Sequence, residues 1–502
     1  MVRVWFIIFI AIMLLFSNDY YLNDEAIVIL QLKSIESEFQ LDISNFYPYQ
    51  GTPWFEFEGK KYAPFSYLLP ILAFPIYKAL LFLNSFGYPD LILALIAPAG
   101  FLLLAIQHRK YFLLAIAFFL ATLLLFKPIY RFEDWAGIYA LKLTNVFAIA
   151  ITAEILYRML KERFEEKFAI SAVFAFVFAT PVVYWTLSAK IHAISLMLTA
   201  SSFYFLDRSL RLENTKDLLL ASAIAGLCFF SRAIDGAILC FSILLFLFIF
   251  KRSKLIHAIS GIALGYLPCA IFGFAIFNLP LPIEIIGNRF SNVSYIEASD
   301  PVETVSLIPY AFAGIKNNTL GILSYSPVIA FLIPPAIKAL KAKKFSFSNF
   351  EKFLLLFSIL CFLIYLPFLS DGVVKTGVRD YRFLLPIYIP VAYFLAKAKF
   401  EIELRSLPII ALCFAIPVIP LVSLLNIHEL LSFAYLAIST ALAMTFLLAE
   451  KFKNKAEICS LSILPIIFIV SDVTKAYFSP YDVHFLNPLL DRLVELLLWL
   501  KG

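Results

Sequence analysis

Apolar runs long enough to cross a lipid bilayer recur along almost the whole 502-residue chain. A helix of about 20 apolar residues spans the hydrocarbon core and satisfies its own backbone polar groups. The chain is therefore predicted to be an all-α polytopic membrane protein with roughly 13 to 15 transmembrane helices. Its 54 phenylalanines and only 16 glycines favour bulky, lipid-facing helices over helix contacts made through small residues.

Short basic turns between the apolar runs predict how the chain is oriented. Lysine and arginine gather, for example, at residues 208–216, 251–254 and 451–455, and basic loops stay on the cytoplasmic side. The run 64–83 breaks this pattern, because if it crossed the membrane the basic stretch 158–163 would lie outside. It also contains prolines, which disfavour a straight helix. We therefore expect 64–83 to be an interfacial or re-entrant segment on the outer face.

The remaining pattern predicts one large transmembrane domain and a short terminal helix. Residues 1–485 form a transmembrane domain whose first outer loop, 18–89, carries juxtamembrane helices, including one over 24–38. A second long outer loop covers 278–318, and residues 486–502 form an amphipathic interfacial helix. The chain has a net charge of +6 without a long basic run, so no nucleic-acid partner is expected. Its six cysteines have no paired spacing, which argues against a disulfide framework or a zinc site.

Polar residues collect at the predicted outer ends of the helices. For each one alone, an interfacial anchor or a charged helix start is the simpler explanation, and Asn23 is a good N-cap for a helix that begins with acids. Together they combine acids, a histidine and several cations, which suits an anionic lipid-phosphate substrate. The residues are Asp24, Glu25, Lys61, Lys190, His192, Arg232, Asp235, Arg379 and Arg382.

Several short motifs occur in a characteristic order along residues 1–400. They are Asn23-Asp24-Glu25-Ala26, Lys61-Tyr62-Ala63-Pro64, Ala179-Thr180-Pro181 through Tyr184-Trp185 to His192, Gly226-Leu227 through Ser231-Arg232, and Arg382-Phe383-Leu384-Leu385-Pro386. The ordered set resembles the GT-C glycosyltransferases, membrane enzymes that use polyprenyl-phosphate sugars. The pattern is most similar to protein O-mannosyltransferases and the lipid A aminoarabinose transferases.

The resemblance implies a reaction and a set of roles. A hydroxyl of an acceptor lipid, glycan or protein would attack the sugar of a polyprenyl (dolichyl or undecaprenyl) phosphate donor on the outer face of the membrane, with inversion. Asp24 and Glu25 would be the catalytic carboxylates, with Asp24 as the general base or positioning the acceptor. The donor phosphate would be bound by the cations Lys61, Lys190, Arg232, Arg379 and Arg382. Glu25 and His192 would orient the acceptor or complete a divalent-metal site with Asp24, although His192 stands where many relatives have an acid.

A multispan transporter or lipid flippase is the competing class, since it also needs many spans and buried charges. Two features argue against it: the polar residues gather on one side of the membrane, and no inverted repeat is visible. The sequence therefore favours a glycosyltransferase of the plasma membrane with an extracytoplasmic active site.

Overall fold

Helices account for most of the residues that the computed structural model describes. The described residues are 23–45, 54–85, 116, 132–290, 327–341, 346–376 and 383–401, without positions 39, 179, 181 and 187. The helices are α1 (Asn23–Glu38), α2 (Leu68–Asn84), α3 (Phe132–Lys161), α4 (Glu166–Phe178), α5 (Val182–Thr186), α6 (His192–Leu212), α7 (Thr215–Ser231), α8 (Ala233–Phe250), α9 (Leu255–Phe277), α10 (Ile283–Phe290), α11 (Ile333–Lys341), α12 (Asn349–Thr376) and α13 (Tyr388–Lys397). Short 3₁₀ turns cover Arg252–Lys254 and Pro327–Leu332.

Three of the described segments are long and apolar enough to cross a membrane. They are Ala136–Lys161, Ala233–Phe250 and Arg252–Phe277. The all-α polytopic prediction is confirmed, and the protein is an integral membrane protein. The total number of spans and the domain limits at 485 and 486 stay predictions, because residues 86–115, 117–131 and 402–502 lie outside the described part of the chain.

The first outer loop is folded back on the helices. The helix predicted over 24–38 is confirmed as α1, and its side chains Ile27 and Leu32 are fully buried. Beyond it, β1 (Phe55–Phe57) and β2 (Lys60–Tyr62) form an antiparallel hairpin that the sequence analysis did not predict. Its two turn residues, Glu58 and Gly59, have φ values of 51° and 75°, as a two-residue hairpin turn requires.

The hairpin is held in place by aromatic packing. The ring centroids of Phe55 and Tyr62 lie 5.8 Å apart, and both rings contact the Phe277 ring at the end of α9. Ile283 and Ile286 of α10 belong to the same buried cluster. The first outer loop and the segment after α9 therefore meet at one end of the helices, which we call the site end.

The run 64–83 contains the single helix α2, which includes Pro75. At 17 residues it is shorter than the three spanning segments. One face is buried against α3 and α1, while Ile71, Leu72 and Phe82 are exposed. The interfacial or re-entrant placement of this segment stays a prediction.

Helix α7 ends at Ser231 and α8 begins at Ala233, so the motif that ends with Ser231-Arg232 lies at their junction. Arg232 between them is extended, with φ −147° and ψ 115°. A single residue thus reverses the chain at the site end. At the opposite end, Asp207 of α6 binds Arg163 and Arg211, and Lys251 binds Glu213 at 3.0 Å. These cations lie on the side that the sequence predicts to be cytoplasmic.

Helices α7 and α9 contradict the expectation of bulky helix contacts. A Cβ atom added to Gly265 would lie 1.7 Å from the Ala223 carbonyl oxygen, and one added to Gly226 would lie 2.3 Å from the Ile262 carbonyl oxygen. The two backbones therefore touch through glycine, as small-residue interfaces allow in membranes. The expectation was wrong here because composition counts glycines but does not place them.

Replacing Gly265 with alanine is expected to force α7 and α9 apart. The added methyl group meets backbone, which cannot rotate away, so we expect a destabilisation of about 3 kcal/mol. A thermal unfolding curve of the detergent-purified protein would show it as a lower midpoint. Leu264→Ala is the matched control, because this neighbouring side chain is 59% exposed. Equal midpoints for Gly265→Ala and wild type would contradict the close approach.

Candidate functional site

Glu25 is buried at the start of α1 and bound to a non-helical segment between α5 and α6. Its Oε1 accepts the backbone N–H of Ala189 at 3.0 Å, and its exposed fraction is 0%. The same segment is held from the other side by Asn145 of α3, whose Nδ2 donates to the carbonyls of Ser188 and Lys190, both at 2.7 Å. The backbone of residues 188–190 is thus fixed between α1 and α3.

Lys190 follows directly and is also buried. Its Nζ lies 5.8 Å from the centroid of the Phe65 ring. The Phe65 carbonyl accepts from Gln31 of α1 at 3.2 Å. The next residue, Ser66, donates its hydroxyl to the carbonyl of Phe230, two residues before Arg232. A continuous set of contacts therefore joins Glu25 and Lys190 to the α7–α8 junction.

Arg232 lies at that junction with its guanidinium buried. Nη1 donates to Asp235 Oδ2 at 2.9 Å, and the guanidinium carbon lies 5.8 Å from the Tyr365 ring and 5.4 Å from the Phe383 ring. Asp235 also accepts the hydroxyl of Ser195, at 2.5 Å, and the hydroxyl of Tyr365. Ser195 is one turn into α6, which His192 begins.

A second acid reaches the same junction from α10. Glu284 Oε2 accepts the backbone N–H of Ala233 at 2.8 Å. Burial raises the pKa of this carboxyl to about 7, although the positive charge of Arg232 opposes the rise. Asp235 adds to it. Glu284 therefore changes its charge near neutral pH, and it lies beside the buried Arg232 cation.

The predicted site residues divide according to what the structure describes. Glu25, Lys190, His192 and Arg232 are brought together at the site end, where the His192 ring packs 5.2 Å from the Trp185 ring. Lys61 lies on β2 at the same end, but its ammonium sits 4.7 Å from the Trp54 ring. The side chains of Asp24, Arg379 and Arg382 lie outside the described residues. Their roles, like those of the other residues, stay predictions.

Described residues next to two of these three lie at the site end. The backbone of Asp24 belongs to α1 and precedes Glu25, which is anchored to Ala189. Phe383 follows Arg382 in the chain and contacts the Arg232 guanidinium. Both segments therefore lead into the region that Glu25 and Arg232 occupy.

The divalent-metal site stays a prediction too. Among the described side chains, no group of three histidine, cysteine or acidic residues could hold a metal ion. Asp24, the central ligand of the predicted site, is not among the described side chains. Oε1 of Glu25, another predicted ligand, is bound to the backbone amide of Ala189.

Sequence reasoning missed several residues of this region. Asn145 clamps residues 188–190, Tyr365 binds Asp235, and Glu284 binds the start of α8. Lys142, one turn before Asn145 on α3, is 2% exposed. A signal was present for two of them, because Lys142 and Asn145 interrupt an otherwise apolar run, and polar residues inside a span mark functional positions.

Comparison with known proteins supports the resemblance found in the motifs. Residues 129–280 match the family model of dolichyl-phosphate-mannose-protein mannosyltransferase. This segment includes Asn145, Lys190, His192, Arg232 and Asp235. The predicted resemblance to the GT-C superfamily is confirmed for this part of the chain, which carries the sequence signature of a glycosyltransferase family.

Two solved structures of one protein, ArnT, align with the chain. The apo structure of ArnT from Cupriavidus metallidurans has a TM-score of 0.49 at 10% identity and covers 93% of this chain and 74% of that chain. ArnT from the same organism bound to undecaprenyl phosphate has a TM-score of 0.47 at 8% identity and covers 98% of this chain and 83% of that chain. No curated protein matches the sequence.

Proposed function

We propose that the protein is a membrane glycosyltransferase. It moves a sugar from a polyprenyl phosphate to a hydroxyl of a lipid, glycan or protein acceptor on the outer face of the plasma membrane. The observation that carries the proposal is the position of two buried cations, Lys190 and Arg232. Both lie within the segment that matches the mannosyltransferase family, and a continuous set of contacts joins them at the site end.

The reaction is a displacement at the anomeric carbon. The acceptor oxygen forms a bond to that carbon while the bond from carbon to the phosphate oxygen breaks. Asp24 takes the acceptor proton as general base, and polyprenyl phosphate leaves with the bonding electron pair. Attack opposite the leaving group inverts the configuration of the sugar.

The protein's main task in this reaction is to stabilise the leaving phosphate. Arg232 supplies a buried guanidinium, and donors in a water-poor site stabilise developing charge more strongly than they do in water. Lys190, with Arg379 and Arg382, adds to the positive potential, and Lys61 contacts the phosphate from the hairpin. His192 orients the acceptor. A divalent metal bound by Asp24, Glu25 and His192 would supply further positive charge.

A transfer assay in detergent separates this proposal from transport. Purified full-length protein is incubated with a panel of polyprenyl-phosphate sugars and the cell's extracted lipids, and products are identified by mass spectrometry. A glycosyltransferase releases polyprenyl phosphate without a vesicle, whereas a flippase needs two compartments. Movement of a lipid across proteoliposomes without any released polyprenyl phosphate would overturn the proposal. The same assay with and without a chelator tests the metal.

The KM for the donor is expected to increase as the pH rises through about 7. Glu284 is neutral below its raised pKa and ionised above it, and the new negative charge lies beside Arg232 and Asp235. A phosphodiester donor keeps its own charge over this range, so we expect a KM about fivefold to tenfold higher at the alkaline side. The measurement is the donor KM from about pH 6 to pH 8.

Glu284→Gln is the matched control for this pH dependence. Glutamine keeps an oxygen for the Ala233 amide but does not ionise. The donor KM of this variant should stay level and close to the low-pH value of wild type. A dependence that persists in Glu284→Gln would assign the titration to another group.

A further inference from the structure

Asp235 is a buried carboxylate of the site end that accepts three hydrogen bonds from different elements. It accepts from Arg232, Ser195 and Tyr365, which lie on the α7–α8 junction, α6 and α12. It is 3% exposed, so water does not replace these donors. Each of the three bonds fixes the carboxylate, and the carboxylate in turn fixes one nitrogen of the guanidinium.

Arg232 needs such an anchor for its side chain, whereas its backbone is already bonded to Cys228 and Gly236. It is the single extended residue between α7 and α8, with a long side chain that has several rotatable bonds. The described neighbours include a competing acid, since Glu284 binds the adjacent Ala233 amide. The bond to Asp235 therefore sets which part of the guanidinium is already paired and which part is left for an anion.

We propose that Asp235 is a positioning residue that holds the Arg232 guanidinium for the phosphate of the lipid-linked donor. The inference rests on the glycosyltransferase function proposed above and assigns to Asp235 a part in substrate binding. Asp235 itself does not touch the substrate. It acts by keeping Arg232 bonded on one side, so that the remaining N–H groups can bind phosphate oxygens in the fork geometry typical of arginine.

Asparagine at this position cannot do the same work. An asparagine amide can keep Arg232 and Ser195 on its oxygen only if the Tyr365 hydroxyl turns to accept from its nitrogen, and the amide carries no negative charge. The lost negative charge also leaves Arg232 without its partner, and Glu284 is the nearest described acid that can take its place. Arg232 paired with Glu284 would no longer be oriented for the phosphate.

The test is a double-mutant cycle on the binding of polyprenyl phosphate to the purified full-length protein at fixed pH. Asp235→Asn is expected to weaken binding about tenfold. In the Arg232→Gln background, Asp235→Asn should cause no further loss, because its effect passes through Arg232. Additive losses, or unchanged or tighter binding in Asp235→Asn alone, would overturn the positioning role.

Two more variants keep the test decisive. Ser242→Ala is the matched control: it removes a buried hydroxyl two turns further along α8, which donates only to the Ile238 carbonyl at 2.7 Å in the described structure. It should bind like wild type. If Asp235→Asn does not fold, Asp235→Glu keeps the charge but displaces the carboxylate by one methylene. Weaker binding in Asp235→Glu supports the role, and wild-type binding overturns it.

The wild-type protein separates this inference from the proposed function. If wild type does not bind polyprenyl phosphate, the glycosyltransferase proposal fails and the role of Asp235 fails with it. If wild type binds and transfers sugar while Asp235→Asn behaves the same, only the positioning role fails.

Discussion

Asp24→Asn is expected to lower kcat for sugar transfer by about 10²- to 10⁴-fold, the range that a general base contributes. Asparagine has nearly the same shape but cannot accept the acceptor's proton. Binding of polyprenyl phosphate should change little, because the cations proposed to bind the phosphate are untouched. The measurements are the transfer rate at saturating donor and acceptor, and separately the dissociation constant for polyprenyl phosphate.

Glu36→Gln is the control for this experiment. Glu36 lies on the same helix, α1, but its carboxylate binds Lys78 near the surface. Exposed ion pairs of this kind contribute little, so its activity should equal that of wild type. Full activity in a folded Asp24→Asn protein would remove Asp24 from the catalytic role, and the search for the base would move to the acids beside it.

The helices could largely be predicted from the sequence. Apolar runs of spanning length mark the described membrane helices, because length and hydrophobicity decide where a membrane helix forms. What the sequence did not give was the glycine contact between α7 and α9, which depends on how the two helices face each other.

The hairpin of β1 and β2 was missed for a different reason. Each strand has three residues, so alternation of buried and exposed side chains hardly has room to appear. The pair Glu58-Gly59 was a usable signal, because glycine favours the positive φ of a tight hairpin turn.

The site was predictable in its general location but not in its bonds. Topology alone placed Glu25, Lys190, His192 and Arg232 at one end of the helices. The partners came only with the structure: Ala189 for Glu25 is 164 positions away, and Glu284 is 51 positions from Ala233. Such pairs depend on the rotation of each helix about its axis and on its depth in the bundle. Neither follows from hydrophobic periodicity in segments that are apolar on all sides.

Arg232→Gln is expected to lower kcat/KM for the donor by about 10²- to 10³-fold, the cost of removing one donor from a water-poor site that stabilises developing charge. The KM for the acceptor should stay the same, because the loss concerns the leaving phosphate. The kcat/KM of Arg232→Lys should fall between the values of wild type and Arg232→Gln, since lysine keeps the charge but not the planar fork. Arg252→Gln is the control, because Arg252 follows the far end of α8 and binds the Phe248 carbonyl at 3.0 Å. A loss confined to the acceptor KM would mean that Arg232 holds the acceptor, and the phosphate would then be bound by Lys190 and the cations of residues 379–382.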